Sequence, residues 1–255
     1  MKILPDTAIL ILMLLSSCHS DTPNSTGSLK PSHEIWTKLL NQHVDVEGNV
    51  NYQGFQKDSS TLNEYLDILV NNPPDKKDWP ESAQLAYWIN VYNAFTIKLI
   101  IDHYPVESIR DIGSKIQIPF INSPWDIKLI EIEGKKYDLN NVEHSILRKN
   151  FEEPRIHFAI VCASFSCPKL RREAYTAEKL EEQLQGQAAD FINDAAKNSI
   201  SKNKAEVSKI FSWFKGDFTR SGSLADFLNQ YSKTKLDKDA KISYMNYDWS
   251  LNEVR

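Results

Sequence analysis

The hydrophobic pattern divides the chain into blocks with helical spacing and shorter apolar runs, separated by Gly and Pro. Residues 31–43 place Ile35, Trp36, Leu39 and Leu40 on one helical face, and residues 44–52 read as a short hairpin about Gly48. A second helix spans 60–70 and is closed by Asn71-Asn72-Pro73-Pro74. A long third helix starts at Pro80, a favoured first-turn residue, and runs to about His103. Its stripe of Leu85, Trp88, Ile89, Tyr92, Thr96 and Leu99 is widened by Ala86, Val91, Phe95 and Ile97, so it is predicted to be central and buried. Further on, residues 127–132 and the Glu133-Gly134 turn suggest an edge hairpin, followed by a helix over 141–148. Residues 155–162 form an apolar run too continuous for a half-exposed strand, which predicts a strand at the centre of a sheet. A helix over 176–197, a short strand over 207–211 and a helix over 223–231 complete the pattern. Without regular βαβ alternation, it predicts an α+β fold: a helix-rich single domain around a small, mainly antiparallel sheet.

The N-terminus does not fit this globular pattern. Lys2 precedes an apolar run over residues 8–15, too short for a bilayer, which takes roughly 20 residues, and matching the about 7–15 of a signal-peptide core. It ends in Leu15-Ser16-Ser17-Cys18, which resembles the lipobox of bacterial lipoproteins, in which the cysteine sulfur takes the lipid. Residues 1–17 are therefore expected to be a lipoprotein signal peptide, and Cys18 the lipidated first residue of the mature chain. An ordinary cleaved signal with an incidental Cys18 is the alternative. Residues 18–29 are polar and lack aliphatic side chains, as a flexible tether would, and residues 30–255 form the globular domain. The expected location is the bacterial cell envelope, with the domain outside the cytoplasm and held to a membrane through the lipid.

Composition narrows the classes of function. A quarter of residues are charged, 41% are hydrophobic, and the net charge of −4 falls in no long block of one sign. That suggests neither nucleic-acid binding nor disorder. No cofactor motif is apparent.

With Cys18 assigned to lipid, Cys162 and Cys167 are the remaining thiols. Outside the cytoplasm, their C-x4-C spacing is compatible with a disulfide closing a small loop. Zinc would need further ligands that no recognisable spacing supplies. A third reading makes Cys162 a nucleophile: it ends the apolar run, precedes Ala163-Ser164-Phe165-Ser166, and has Lys169, Arg171 and Arg172 nearby in sequence to favour thiolate.

Such a thiol needs a base. His33, His43 and His103 read as structural. His157 is five residues from Cys162, so strict strand alternation puts the two on opposite faces. His144, on a separate element, is the expected partner. Glu143 could orient its imidazole, or complete a capping box with Asn140 as N-cap. Asn90 and Asn93, on the third helix, could brace a loop or polarise a reacting group.

Five blocks, Trp88-Ile89-Asn90-Val91-Tyr92-Asn93-Ala94, residues 142–148, residues 156–164, Ser166-Cys167-Pro168-Lys169-Leu170-Arg171 and residues 247–252, together resemble the family called domain of unknown function 547. The resemblance runs from the third helix nearly to the C-terminus. It implies that Cys162 corresponds to a cysteine of both the bacterial and plant branches, while Cys167 corresponds to a position often serine in plants; a disulfide is then not the general purpose of the pair. It also singles out Glu143, His144, His157, Asn90 and Asn93, and brings no established activity.

The expected function is a thiol-dependent hydrolase or acyltransferase. Cys162 is its nucleophile and His144 its base, Glu143 or Asn93 orients the imidazole, and amides after Cys162 stabilise the oxyanion. His157, Asn90, Cys167 and Arg171 are further candidates, and the ligand would be a peptide, an acyl group or a glycan. The alternative is a non-catalytic, ligand- or partner-binding lipoprotein with a structural Cys162–Cys167 disulfide. A redox role ranks third, because C-x4-C lacks the two-residue spacing of dithiol oxidoreductases.

Overall fold

The computed structural model describes residues 30–113 and 123–254. The expected signal peptide, Cys18 and the tether lie outside the described residues. Four helices open the domain: α1 (Glu34–His43), α2 (Tyr52–Lys57), α3 (Ser59–Asn71) and α4 (Glu81–His103). As its apolar circumference predicts, α4 is buried on nearly all sides, with Asn90, Asn93 and Thr96 enclosed among its apolar residues. None of the described helices is long and apolar enough to cross a membrane.

The predicted hairpin over 44–52 reduces to one antiparallel bridge between Val44 and Val50. Gly48 turns it at φ +82°, where a Cβ would lie 2.7 Å from the Cα of Lys169. Both the left-handed backbone and this close approach require glycine. Beyond it, the Asn51 side chain accepts from the Gly54 amide and starts α2, an element the hydrophobic pattern did not predict.

Strands β1 (Ile130–Ile132) and β2 (Lys135–Tyr137) form the expected hairpin, with Ile130 opposite Tyr137. Residues Asn141–Leu147 are helical as predicted but wound as a π-helix, continued by α5 (Arg148–Asn150). The wider winding often accompanies a functional side chain that a regular helix would misplace.

Residues 155–162 are not a central strand. Pro154 leads into one helical turn, α6 (Ile156–Ala159), and the chain becomes extended only from Ile160. The continuous apolar run has another cause: the turn is enclosed on all sides, with Ile156 and Ala159 in one apolar cluster and Phe158 in a second. A short buried helix and a short buried strand have the same apolar signature.

The remainder comprises α7 (Leu180–Ile192), β3 (Ser199–Ile200), β4 (Lys204–Val207), α8 (Ile210–Trp213), α9 (Lys215–Phe218), α10 (Leu224–Tyr231) and β5 (Lys241–Tyr244). The strand predicted over 207–211 ends at Val207; the Ser208 hydroxyl then accepts from the Ile210 amide and starts α8. Strand β4 lies between β3, antiparallel, and β5, parallel. The fold is thus helix-rich, with small, mostly antiparallel sheets. Its larger apolar cluster surrounds α4, and its smaller one joins α6, α7 and residues 205–236.

Candidate active site at the cysteine pair

Cys162 and Cys167 are joined as a disulfide, with their Cα atoms 6.4 Å apart, inside the usual span of such a bridge. The pair closes a loop in which Ala163 takes φ +58°, an unfavourable value for a residue with a Cβ. Lys197 holds this loop by donating to the carbonyls of Phe165 and Cys167. Asn93 fixes the chain just before it. Its Oδ1 accepts from the Val161 amide at 2.9 Å and its Nδ2 donates to the Ala159 carbonyl at 2.9 Å, so this buried amide has a bracing role.

The pair lines a cavity of about 160 Å³. Its other walls come from Tyr92 on α4, Trp125, Asn140, Glu143 on the π-helix, His157 and Ile160, Pro168, residues Ile210, Trp213 and Phe214, and the later Tyr247 and Trp249. Three partly or largely exposed tryptophans stand together here: Trp249 lies 5.7 Å from both Trp125 and Trp213, centroid to centroid. Most of the lining is apolar or aromatic, with a few polar groups that converge, the usual composition of a small-molecule site.

Two expectations change at this point. His157, assigned by strand parity to the face opposite Cys162, lines the same cavity, because α6 is a helical turn and alternation does not apply. Glu143 does not complete a capping box. Asn140 is itself helical and its side chain donates to Asp126, while Asp138 accepts from the Asn141 amide. The Glu143 carboxyl is left free to turn inward, where Tyr92 donates to it at 3.5 Å.

The polar groups form a connected set. His157 Nε2 is 2.8 Å from Asp217 Oδ2, and the ring stacks on Phe214 at 3.8 Å. Its other nitrogen, Nδ1, has no hydrogen-bond partner among the described residues and lies 4.0 Å from Glu143 Oε1. Arg148 Nε donates to the same Asp217 oxygen at 2.6 Å. Burial pushes the Glu143 carboxyl up to about 7 against the opposing pull of Arg148. Burial also brings His157 down to about 4 despite Asp217. Asp217 itself is held well below the usual carboxylate range: desolvation opposes this, but the hydrogen bonds from His157 and Arg148 outweigh it.

His144 has different neighbours. It is not among the residues lining the cavity; its Nδ1 is 3.1 Å from Arg148 Nη1, and burial and then Arg148 lower its affinity for a proton. Asn90 clamps Tyr175 through both backbone groups, and Arg171 pairs with Glu173, so neither reaches the cavity lining. Sequence reasoning missed the roles of Asp217, which contacts His157, and of Tyr247 and the tryptophans around the cysteines; Tyr247 lies 85 residues along the chain from Cys162. Among the described residues, no cluster of three or more His, Cys, Asp or Glu side chains could hold a metal ion.

Glu143 and His157 have opposing effects on stability. Glu143 binds its proton more tightly folded than unfolded, so its contribution is full below 4.5 and lost as pH rises through about 7. His157 does the reverse: its contribution is full above 6.5 and lost as pH falls through about 4. The two offset each other at mildly acidic pH. Glu143→Gln is expected to be more stable than the wild type at pH 8 by roughly 3 kcal/mol and to keep the acid-side loss from His157. Denaturant unfolding at pH 5 and pH 8 measures this. A variant less stable than the wild type at pH 8 would contradict the assignment.

Residues 76–192 match the family model described as Protein of unknown function, DUF547, so the chain carries a DUF547 domain over that range. The match includes α4, Glu143, His157 and both cysteines, but Asp217, Tyr247 and Trp249 fall beyond it. No curated protein and no solved structure matches the chain.

Proposed function

Starting from a domain with no assigned activity, we propose that the chain is an exported, lipid-anchored thiol hydrolase or acyltransferase whose nucleophile is Cys162. The observation that carries this reading is the shared cavity: the partly exposed Cys162, Glu143 and His157 all border one small space, and Asp217, outside that lining, holds the His157 ring. Perturbed acids and bases beside a nucleophilic atom in a cleft are a recurrent feature of active sites.

In this reading the disulfide is the resting form. A dithiol supplies two electrons and two protons and converts it to two thiols. The Cys162 thiol gives its proton to the cavity base and attacks an acyl carbonyl; the leaving group departs with a proton from the cavity acid. Glu143, titrating at about 7, is matched to both transfers at neutral pH. Asp217 fixes the His157 ring, as the acid of a catalytic triad does. Water then releases the acyl group, or a hydroxyl or amine accepts it. His157 and Glu143 take the base role that the sequence assigned to His144. The lipid at Cys18 would keep this site at a membrane of the cell envelope, where its ligand would carry an acyl, peptide or glycan group.

The pairing of the cysteines supports a second reading, a non-catalytic lipoprotein with a structural disulfide and an aromatic ligand cavity. The full chain, reduced under native conditions and given a chromogenic activated ester, separates the two. The enzyme reading expects a burst of released chromophore and a thioester mapped by mass to Cys162, absent in Cys162→Ala and retained in Cys167→Ser. A burst unchanged in Cys162→Ala, or no acylation in the reduced wild type, would leave the binding reading.

A further inference from the structure

The geometry points to a directed thiol–disulfide exchange activity at this pair: an incoming thiolate attacks the Cys162 sulfur, and Cys167 leaves as the thiolate. The inference goes beyond the acyl chemistry and does not depend on it.

Two observations set the direction. The first is access. Both cysteines line the cavity, but Cys162 is partly exposed whereas Cys167 is only 2% exposed. An attacking sulfur must approach along the S–S axis on the side away from the leaving sulfur, and Cys162 is the more exposed residue of the two. The second is the set of donors around Cys167. The Cys162 amide reaches its Sγ at 3.0 Å, the Tyr247 hydroxyl at 3.2 Å and the Ser164 hydroxyl at 3.3 Å. A buried thiolate is costly unless hydrogen bonds replace water; the Cys162 amide and the Tyr247 hydroxyl are this sulfur's donors, while Ser164, which also reaches the Tyr247 oxygen at 3.0 Å, gives its one proton to either the sulfur or the phenol. The two hydroxyls stand at similar distances from Cys162 Sγ, 3.3 Å for Tyr247 and 3.4 Å for Ser164. They favour opening of the bond in either sense. The amide and the difference in access select Cys167 as the leaving group.

The exchange balances. The incoming thiolate forms a new S–S bond to Cys162, the Cys162–Cys167 bond breaks, and its electron pair stays on Cys167. The co-substrate class is a thiol, either a small molecule or a protein cysteine. A second thiolate, external or Cys167 itself, then releases the adduct. The C-x4-C spacing argued against this chemistry in the sequence; the folded loop supplies what the spacing alone does not show, a partly exposed cysteine to attack and a buried one to leave.

The test uses the oxidised full chain, treated with glutathione under native conditions, trapped with N-ethylmaleimide and mapped by peptide mass. The expected result is glutathione on Cys162 and maleimide on Cys167 in at least tenfold excess over the reverse pattern. Peptide mapping keeps Cys18 separate. Tyr247→Phe is expected to slow opening about fivefold, the effect of losing one hydrogen bond of ordinary strength, with the excess at Cys162 kept. An even partition, an adduct mainly on Cys167, or a bond that opens only after denaturation would overturn the inference. Because no acyl donor is present, failure here is distinct from failure of the acyl reading.

Discussion

Phe158→Ala is expected to lower the unfolding free energy by about 3–5 kcal/mol, the range for deleting a large ring from a packed core. The Phe158 ring is wholly buried, with Phe191 at 5.1 Å, Phe218 at 5.6 Å and Phe211 at 5.7 Å between centroids. These neighbours come from α7, α8 and α9, and ring packing of this kind adds to the area buried. Phe158 also sits on α6, whose Ile156 and Ala159 belong to the larger cluster, so its ring ties the two clusters together. The exposed Phe165, over which the Lys197 ammonium lies, provides the contrast. Phe165→Ala is expected to stay within about 0.5 kcal/mol of the wild type. Denaturant unfolding of both variants makes the comparison; a Phe158→Ala loss below about 1 kcal/mol would show that the rings do not pack as described.

The second large effect is expected at Asp217. Its side chain is 11% exposed and accepts from both Arg148 and the fully enclosed His157. Asp217→Ala leaves a guanidinium and an imidazole without their shared acceptor; because the Arg148 side chain is 30% exposed, the cost falls below that of a fully buried pair, at about 2–3 kcal/mol. The effect carries a pH signature. Asp217 binds its proton more weakly folded than unfolded, so its contribution is complete well above 3.8 and is lost as pH falls through the lower folded value. The gap between wild type and variant is therefore widest at neutral pH and narrows in strong acid. Unfolding free energies at pH 7 and pH 3 would show it, and a constant gap would mean that charge is not the cause. In the acyl reading the same variant also loses activity, because the His157 ring loses its anchor.

The elements most legible in the sequence were those whose burial is expressed along a long stretch of chain. Helix α4 is apolar around its circumference, and that pattern has one reading. The eight residues 155–162 are too few for periodicity to separate a strand from a helical turn. The error had a chemical consequence, since strand parity placed His157 away from Cys162. The cysteine pair was legible because its alternatives could be enumerated from spacing and compartment. Glu143 was found, but its role was obscured by a local explanation, a cap at Asn140, that the fold does not use. Asp217 was not legible. It sits in the four-residue helix α9 and acquires its role only when that helix packs beside α6, a relation between distant segments with no trace in local sequence. Tyr247 and Trp249 lay within a recognised block, but their approach to the sulfurs depends on the path of the segment that carries them.

That segment has a further implication. Residues 247–253 run back across the domain: Ser108 donates to the Trp249 carbonyl, Ser250 bridges to Ser108, Tyr52 donates to Asn252, and the Val50 amide donates to the Asn252 carbonyl. They add Tyr247 and Trp249 to a cavity whose other sides come from residues 92–214. A ribosome makes the two cysteines some 80 residues before Tyr247, so a growing chain presents both sulfurs before their aromatic cover exists. Only arrival of the last stretch narrows the approach and installs the phenol, turning an ordinary loop disulfide into one with a preferred direction of attack.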